Sequence, residues 1–504
     1  MELRKREYSA LEKVIFAITA VFLAVMLAAY VYWLFTTPFS SAVSVILSAA
    51  ALLFFSFIGA KAIKDVFYAW RGEPEVDLTE GLGKRSLRQG SRHPILKLFL
   101  ALLLSRIVVF VVAYIVLLLE KGYEGALLDT LSLWLKGDAP HYMGIADNWY
   151  VTEGDPRFHI VFFPLYPILV RFLNYIVQNT FVSGLFISCM STVIAGMLLY
   201  ELALLDLDRA AAKRAVKFQM LLPAAFLLNA PMSDGLFLLL SIACMLLARK
   251  KKYVLAAALG GLAAFTRVLG VVLLVPVAIE LIGDAVRLKK KNGNVLMYAL
   301  PRAVSQLLIP MGFLFYLLVN HNVTGDAFTF MTYQREHWNQ EMGWFFHTIS
   351  YQTEYFFTKF GSDNASAFGL WLPNLLVQFL SLIVMLLVSQ KRVRRYEKPR
   401  KRRIYSDTVV EGQGVQDGPK MQIRLKQPYA LRPSYMAYFL AYYFASMGAT
   451  WLLSAPRYLT CCFPLSIALA ALGDRRGKTL CMYGALLIMQ VLYLIAYVKG
   501  WPVY

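Results

Sequence analysis

Charged residues are scarce in this sequence. Only 16% of its 504 residues are Asp, Glu, Lys or Arg, against about 25% in soluble proteins, whereas 59% are hydrophobic. Apolar runs of about 20 residues, each long enough to cross a bilayer, recur along the chain from residues 14–35 to residues 480–498. The composition therefore excludes a water-soluble globular protein and predicts an all-α polytopic membrane protein.

Cysteine is also rare, and its spacing fits no metal site. All five cysteines fall within or at the ends of apolar segments, where they behave as small hydrophobes: Cys189, Cys244, Cys461, Cys462 and Cys481. We therefore predict neither a disulfide framework nor a zinc site, and no metal or other cofactor is assigned.

The first apolar run is long and no small-residue cleavage pattern follows it, which argues against a signal peptide.

The net charge is +20, and the basic residues gather in short loops between the apolar runs. This placement is typical of positive-inside topology rather than of nucleic-acid binding. The basic clusters, which mark the cytoplasmic side, are residues 4–6, 61–97, 209–217, 249–252, 287–291, 391–426 and 475–478. Residues 120–160 carry seven acids against three bases, and residues 321–365 carry five against two, so these loops are expected on the outer side.

A model of about 13 spans satisfies both sets of loops, with the N-terminus inside and the C-terminus outside. After the first two, the predicted spans start near residues 97, 180, 214, 233, 252, 269, 298, 366, 430, 457 and 479. Residues 1–95 are expected to form a two-helix membrane hairpin followed by a basic cytoplasmic linker. Residues 96–504 are expected to form the main transmembrane domain, with outer loops 120–179 and 321–365 and a cytoplasmic loop 390–428. The apolar segment 162–178 fits poorly as a span, and we interpret it as an outer-surface or re-entrant helix.

Polar residues from five distant parts of the sequence are predicted to meet on the outer side. Ionisable groups near membrane depth are costly and usually face a cavity or a partner. Several of them at one interface favour a functional site. The candidates are Asp138, His141, Ser233, Asp234, Arg267, Trp338 and Arg457.

The chemistry of these candidates is acidic and basic, without a Ser-His-Asp set, a P-loop or a Gly-rich dinucleotide turn. One carboxylate can take a proton from an attacking hydroxyl, and arginines can hold a phosphate. That combination fits transfer of a group from a lipid-phosphate carrier to a hydroxyl outside the cytoplasm. It also fits a flippase or transporter of lipid-linked sugars, and a non-catalytic scaffold is a third alternative.

Two strings of residues are distinctive in combination: Asp138-Ala-Pro-His-Tyr-Met-Gly-Ile-Ala146 and, after it, Phe162-Phe-Pro-Leu-Tyr-Pro167. Together they resemble motifs of the PIG-V family of GPI mannosyltransferase II and its prokaryotic relatives, within the GT-C glycosyltransferase superfamily. Weaker matches follow in order: Ser233-Asp-Gly-Leu-Phe237, Thr266-Arg-Val-Leu-Gly270, Gly325-Asp-Ala-Phe328 with Trp338, and Ser454-Ala-Pro-Arg-Tyr458. The resemblance runs from about residue 105 to about residue 470.

The resemblance implies a GT-C-like helical bundle and an inverting transfer of a hexose, with mannose the family's sugar. The donor would be a polyprenyl- or dolichyl-phosphate sugar, the acceptor a hydroxyl of a lipid-linked or cell-surface glycan, and membrane lipids would surround both. By position in the first outer loop, Asp138 matches the acid that acts as general base. The substrate-binding candidates are His141, Tyr142, Ser233, Asp234, Arg267, Trp338, Arg457 and Tyr458. The expected location is a bacterial plasma membrane, or the endoplasmic reticulum in a eukaryote.

Each candidate also has a structural interpretation. Asp138 precedes an Ala-Pro pair and is a good helix N-cap, and Ser233 and Asp234 compete for the same role at another helix. Arg267 and Arg457 are equally typical of interfacial arginines that extend their charge toward water. The partners that these side chains find in the fold distinguish the interpretations.

Overall fold

The computed structural model describes residues 10–37, 41–71, 94–121, 130, 133–391, 393–394, 426–427 and 430–503. Within these ranges the regular structure is helical, apart from two antiparallel two-residue strands, Val393–Arg394 and Lys426–Gln427. Most of the expected basic linker, residues 72–93, and most of loop 390–428 lie outside the described residues. The all-α class predicted from composition is confirmed for the part of the chain that is described.

Eight helices in this part of the chain are long and apolar enough to cross a membrane. They cover Ala10–Thr36, Ala42–Arg71, Ile95–Glu120, Thr180–Leu204, Val268–Lys290, Val295–Thr324, Asn364–Gln390 and Arg476–Val498. A helix satisfies its backbone hydrogen bonds internally, which is what the hydrocarbon interior demands. The protein is therefore an integral, multi-pass membrane protein.

The remaining helices are shorter and connect or fill the bundle. They are Ala139–Asn148, Asp155–Val161, Leu165–Val177, Arg209–Leu221, Ala225–Asn229, Asp234–Arg249, Tyr253–Thr266, Thr329–Trp338, Phe345–Lys359, Pro433–Met447, Ala455–Thr460 and Pro464–Leu472. Asp234–Arg249 is buried along most of its length. A short helix surrounded by protein does not need the 20 or so residues of a lipid-facing span.

The number of spans counted from the sequence, about 13, is larger than the number of long helices. Predicted spans near residues 214, 233, 252, 430 and 457 correspond to helices of 9 to 16 residues. Within the described ranges, length and composition alone therefore give eight spans, or nine with one bent pair. That pair, Asp155–Val161 and Leu165–Val177, bends by 112°, and it contains the segment 162–178 that the sequence assigns to a surface or re-entrant helix.

Helix Thr180–Leu204 connects the two ends of the bundle. Thr180 donates a hydrogen bond to Asp147 at one end, and Glu201 pairs with Lys250 at 3.0 Å near the other. At 1.5 Å per residue, the 25 residues of this helix cover about 37 Å. We call the two ends the Asp138 end and the Arg249 end.

A buried arginine fixes the segment that leads to the Asp138 end. Arg106, in helix Ile95–Glu120, donates to the carbonyl of Ala225 at 3.0 Å and to Oδ1 of Asn229 at 3.2 Å. The Asn229 amide in turn donates to the Arg106 carbonyl at 3.1 Å. A charge within a span needs such partners, and this one holds the chain just before Asp234.

The first two helices pack against the rest of the bundle. Trp33 Nε1 donates to His347 Nδ1 at 2.9 Å, and Ser44 Oγ donates to Glu354 at 2.9 Å. The ring of Phe55 lies 4.7 Å from that of Phe345. The N-terminal hairpin expected from the sequence is thus joined to helix Phe345–Lys359 by polar and aromatic contacts.

Candidate functional site

Asp138 stands immediately before helix Ala139–Asn148, which has a proline in its first turn. Although this is the N-cap position, the Asp138 side chain accepts no cap hydrogen bond. Its Oδ2 instead accepts from Nη2 of Arg457 at 2.5 Å, across 319 residues of sequence. The side chain is 26% exposed, so this carboxylate is held by an arginine and is still accessible.

Arg457 lies between two carboxylates. It belongs to the short helix Ala455–Thr460, and its side chain is 7% exposed. Besides the bond to Asp138, its Nε lies 3.4 Å from Oδ1 of Asp234. The guanidinium therefore links the accessible acid of the site to a buried one, and does not extend toward water as an interfacial arginine would.

Asp234, the first residue of helix Asp234–Arg249, is 1% exposed and forms an ion pair with Arg267. Arg267 follows helix Tyr253–Thr266 in extended backbone, where the chain breaks before the turn Val268–Leu273. The thiol sulfur of Cys461 lies 3.7 Å from Oδ1 of Asp234. Two acids and two arginines, Asp138, Arg457, Asp234 and Arg267, thus form one row with no formal net charge.

Tyr458 and a second hydroxyl pair complete the group around this row. The ring of Tyr458 lies 4.9 Å from the guanidinium carbon of Arg267 and 5.8 Å from that of Arg457, within the range of cation–π attraction. The hydroxyls of Tyr142 and Ser233 lie 2.7 Å apart and are buried. Because Tyr142 follows Asp138 by four residues, this contact ties the helix after Asp138 to the start of the Asp234 helix.

His141 and Trp338 form an adjoining aromatic group. The ring of His141 stacks on Phe162 at 5.0 Å, and Trp338 meets it edge-on at 6.4 Å. The Nδ1 of His141 lies 2.9 Å from Nε2 of His159. Burial lowers the pKa of His141 below its ordinary value of 6.5, with nearby Asp138 opposing the shift and His337 adding to it. The imidazole is therefore a neutral hydrogen-bonding group at neutral pH.

All nine candidate residues from the sequence thus lie in two adjoining groups. Asp138, Tyr142, Ser233, Asp234, Arg267, Arg457 and Tyr458 form the first, and His141 and Trp338 the second. Ser233 stands at an N-cap position but, like Asp138, makes no cap hydrogen bond. The N-cap interpretation therefore does not describe the side chain of either residue.

Two residues of the site were not predicted from the sequence. His159 forms a hydrogen bond with His141. It could have been recognised because two of the six histidines of the chain fall in one acidic loop. Cys461 contacts Asp234 and follows Arg457 by four residues, which places both on one face of a helical turn. Phe162, the first residue of the second motif, is buried against the ring of His141.

Two other arginines near these loops have structural partners elsewhere. Arg171 donates to the carbonyls of Ala146 and Asp147 at 2.6 and 2.9 Å, which fixes the end of helix Ala139–Asn148. Arg335 forms an exposed pair with Glu341 at 3.5 Å. Among the described residues, no group of three or more His, Cys, Asp or Glu side chains is placed to hold a metal ion.

No protein-family model, no curated protein and no solved structure matches the chain. The arrangement itself can do two things chemically. An accessible carboxylate can accept a proton from a hydroxyl, and buried guanidinium groups beside it can bind an anionic group such as a phosphate.

Proposed function

We propose that this membrane protein is a glycosyltransferase of the GT-C type that uses a lipid-phosphate sugar donor. The observation that carries the proposal is the row Asp138–Arg457–Asp234–Arg267, in which one acid is accessible and the other three groups are buried. A base that an acceptor can reach, with phosphate-binding groups behind it, is what such a transfer requires.

In the proposed reaction Asp138 is the general base. The acceptor hydroxyl attacks the anomeric carbon of the sugar, and its proton passes to a carboxylate oxygen of Asp138. The bond from that carbon to the phosphate oxygen breaks, and the lipid phosphate leaves with the electron pair. Direct displacement inverts the anomeric carbon, and a covalent glycosyl intermediate would need a second carboxylate as nucleophile. Asp234 does not fit that role because it is buried and paired with Arg267.

The family resemblance suggests the particular substrates. A polyprenyl- or dolichyl-phosphate mannose would donate the sugar to a lipid-linked or surface glycan, with the Asp138 end of the bundle facing outward from a bacterial plasma membrane. The excess of acidic over basic residues in the outer loops and the basic loops near the Arg249 end agree with this orientation. The aromatic group of His141, Phe162 and Trp338 provides ring faces for a sugar.

The test is sugar release from labelled polyprenyl-phosphate mannose by the purified full-length chain in lipid, with and without an alkyl mannoside as acceptor. We expect wild-type turnover, and a loss of about 10²- to 10⁴-fold in Asp138→Asn. Asp155→Asn is the matched control, because Asp155 is an exposed acid of the same loop. Wild-type activity retained in Asp138→Asn would remove Asp138 from the mechanism. A wild-type protein that turns over no polyprenyl-phosphate hexose would contradict the transferase.

A further inference from the structure

The two carboxylates on either side of Arg457 are not equivalent. Asp138 is 26% exposed and accepts a hydrogen bond from Nη2 of Arg457. Asp234 is 1% exposed, is already paired with Arg267, and has its Oδ1 3.4 Å from Nε of Arg457. Arg457 therefore has one accessible partner that a ligand can replace and one buried partner that a ligand cannot reach.

Two buried atoms of this row form no hydrogen bond within the described residues. They are Nε of Arg457 and Oδ2 of Asp234. Buried polar atoms are nearly always bonded, so each exception needs an explanation. Here the unused donor and the unused acceptor belong to neighbouring residues. Arg457 and Asp234 could therefore form a further hydrogen bond that is absent from the described part of this structure.

We propose that Arg457 changes partners when substrate binds. In the state described here it holds Asp138. Binding of a lipid-borne phosphate takes the guanidinium away from Asp138, and the buried Asp234 retains it through the unused donor and acceptor. The released Asp138 carboxylate is then free to accept the proton of the acceptor hydroxyl. Asp234 is in this scheme a positioning residue, and the inference rests on the proposed function.

Charge balance explains why the exchange favours reaction. Without substrate, two carboxylates face two guanidinium groups and the row is neutral. A donor phosphodiester adds one negative charge and competes with Asp138 for Arg457. An added anion favours proton uptake by a neighbouring carboxylate, so Asp138 becomes a better proton acceptor when the donor is bound. Without the donor, its Oδ2 remains occupied by Arg457.

The exchange predicts that one variant binds a lipid phosphate more tightly than the wild type. Asp138→Asn removes the charge that competes with phosphate for Arg457, so it should bind a lipid phosphate more tightly than the wild type while losing turnover. Loss of an ordinary ligand contact would weaken binding instead. The sign of the change in affinity therefore separates partner exchange from a merely structural role.

The experiment measures binding of polyprenyl phosphate, which carries no sugar, to the full-length chain in nanodiscs. Four proteins form a double-mutant cycle: wild type, Asp138→Asn, Arg457→Gln and the double variant. We expect Asp138→Asn to bind about tenfold tighter, within the range of 5- to 150-fold typical of coupled binding. In the Arg457→Gln background, Asp138→Asn should change the affinity less than about twofold, because the guanidinium for which Asp138 and phosphate compete is absent.

Two results would overturn the exchange. Equal or weaker binding by Asp138→Asn would show that Asp138 does not compete with the phosphate. An equal gain in both backgrounds would show a general effect of removing a negative charge. Asp138→Ser serves as a second variant if Asp138→Asn fails to fold, as judged by size-exclusion chromatography. Inorganic phosphate is the comparison ligand: we expect the gain with polyprenyl phosphate, and a gain confined to inorganic phosphate would contradict a lipid-borne ligand.

Failure of the exchange and failure of the function remain distinct. Wild-type turnover of polyprenyl-phosphate mannose, with no gain in affinity for polyprenyl phosphate in Asp138→Asn, would support the transferase and contradict the exchange. A gain in affinity that depends on Arg457, without turnover of any polyprenyl-phosphate sugar, would establish lipid-phosphate binding through Arg457 and contradict the transferase.

Discussion

Arg267 and Asp234 form an ion pair in which the aspartate is 1% exposed and the arginine 9%. The pair joins the break after helix Tyr253–Thr266 to the first residue of helix Asp234–Arg249. Two charges removed from water in this way depend on each other. Without Arg267, the buried Asp234 would keep only Arg457, whose Nε lies 3.4 Å from its Oδ1 and forms no hydrogen bond within the described part of the chain.

Arg267→Gln is therefore expected to destabilise the protein by about 3–5 kcal/mol. Thermal unfolding in lipid or detergent would measure the effect. Arg335→Gln is the matched control, since Arg335 pairs with Glu341 on the surface at 3.5 Å and such pairs contribute about 0–1 kcal/mol. Equal melting temperatures for the two variants would contradict a stabilising role for the buried pair.

Gly270 determines how closely the turn after Arg267 approaches the preceding helix. A Cβ atom at this position would lie 2.2 Å from the backbone nitrogen of Ala264 and 2.3 Å from the carbonyl carbon of Ala263. The Gly270 amide also donates to the Arg267 carbonyl at 2.8 Å. Backbone atoms cannot yield as a flexible side chain can, so any larger residue must displace the turn that carries Arg267.

We expect Gly270→Ala to lower turnover at least tenfold and to lower the melting temperature. Gly484→Ala is the control, because nothing lies within 4 Å of the Cβ position at Gly484. Activity assays and melting curves on both variants test the prediction. A Gly270→Ala protein with wild-type turnover would show that the position of Arg267 does not depend on this close approach.

A second buried ionic group lies at the Arg249 end. Glu280 accepts from Nε and Nη2 of Arg432 at 2.6 and 2.8 Å, and from Oγ of Ser434 at 2.6 Å. Arg249 pairs with Asp206 at 2.6 Å and lies 3.9 Å from Glu280. Arg249 and Asp234 are the two ends of one 16-residue helix, about 22 Å apart, so this group is a structural support and not part of the proposed site.

Glu280→Gln should destabilise the fold by several kcal/mol, since it leaves two buried arginines, Arg249 and Arg432, to share the single carboxylate of Asp206. Turnover per folded molecule should stay within about twofold of wild type because the change is remote from Asp138. Glu201→Gln, which removes an exposed partner of Lys250, is the control for stability. A large loss of turnover in folded Glu280→Gln protein would show that the two ends of the bundle are coupled.

His141 predicts a dependence of stability on pH. Burial lowers its pKa below 6.5, so the folded state favours the neutral imidazole more than the unfolded state does. The stability of the fold that depends on a neutral His141 is fully present above pH 6.5 and is lost as the pH falls through the lowered pKa. The 2.9 Å contact between Nδ1 of His141 and Nε2 of His159 needs one acceptor nitrogen, which is lost only when both imidazoles are protonated.

Melting temperatures of the wild type and of His141→Phe, measured at pH 7.5 and pH 5, test this expectation. Phenylalanine keeps a ring over Phe162 and does not titrate. We expect the wild type to lose more stability than the variant on acidification. The same loss in both proteins would assign the pH dependence to other groups, such as His159, whose Nε2 lies 2.9 Å from Nδ1 of His141 and whose pKa burial lowers to about 4.

The sequence indicates which nine residues could meet on one side of the membrane, and the fold brings them together, but the contacts between them do not follow from the sequence. The sequence motif around Asp138 suggested a general base and also an N-cap, and the fold gives its side chain an arginine 319 residues away. Likewise, Arg267 and Arg457 were equally compatible with water-facing arginines until each was found beside a buried carboxylate. Residue type and spacing along one helix carry no information about a partner on another helix.

The sequence by itself determined the class of the protein, because long apolar runs such as that in Ala10–Thr36 can satisfy their backbone hydrogen bonds in a membrane only as helices. The tertiary structure alone decided which apolar segments are short helices inside the bundle, since burial by protein replaces the length that lipid demands. It also decided which charges meet, because a buried carboxylate such as Asp234 is stable only beside the cations that packing brings to it.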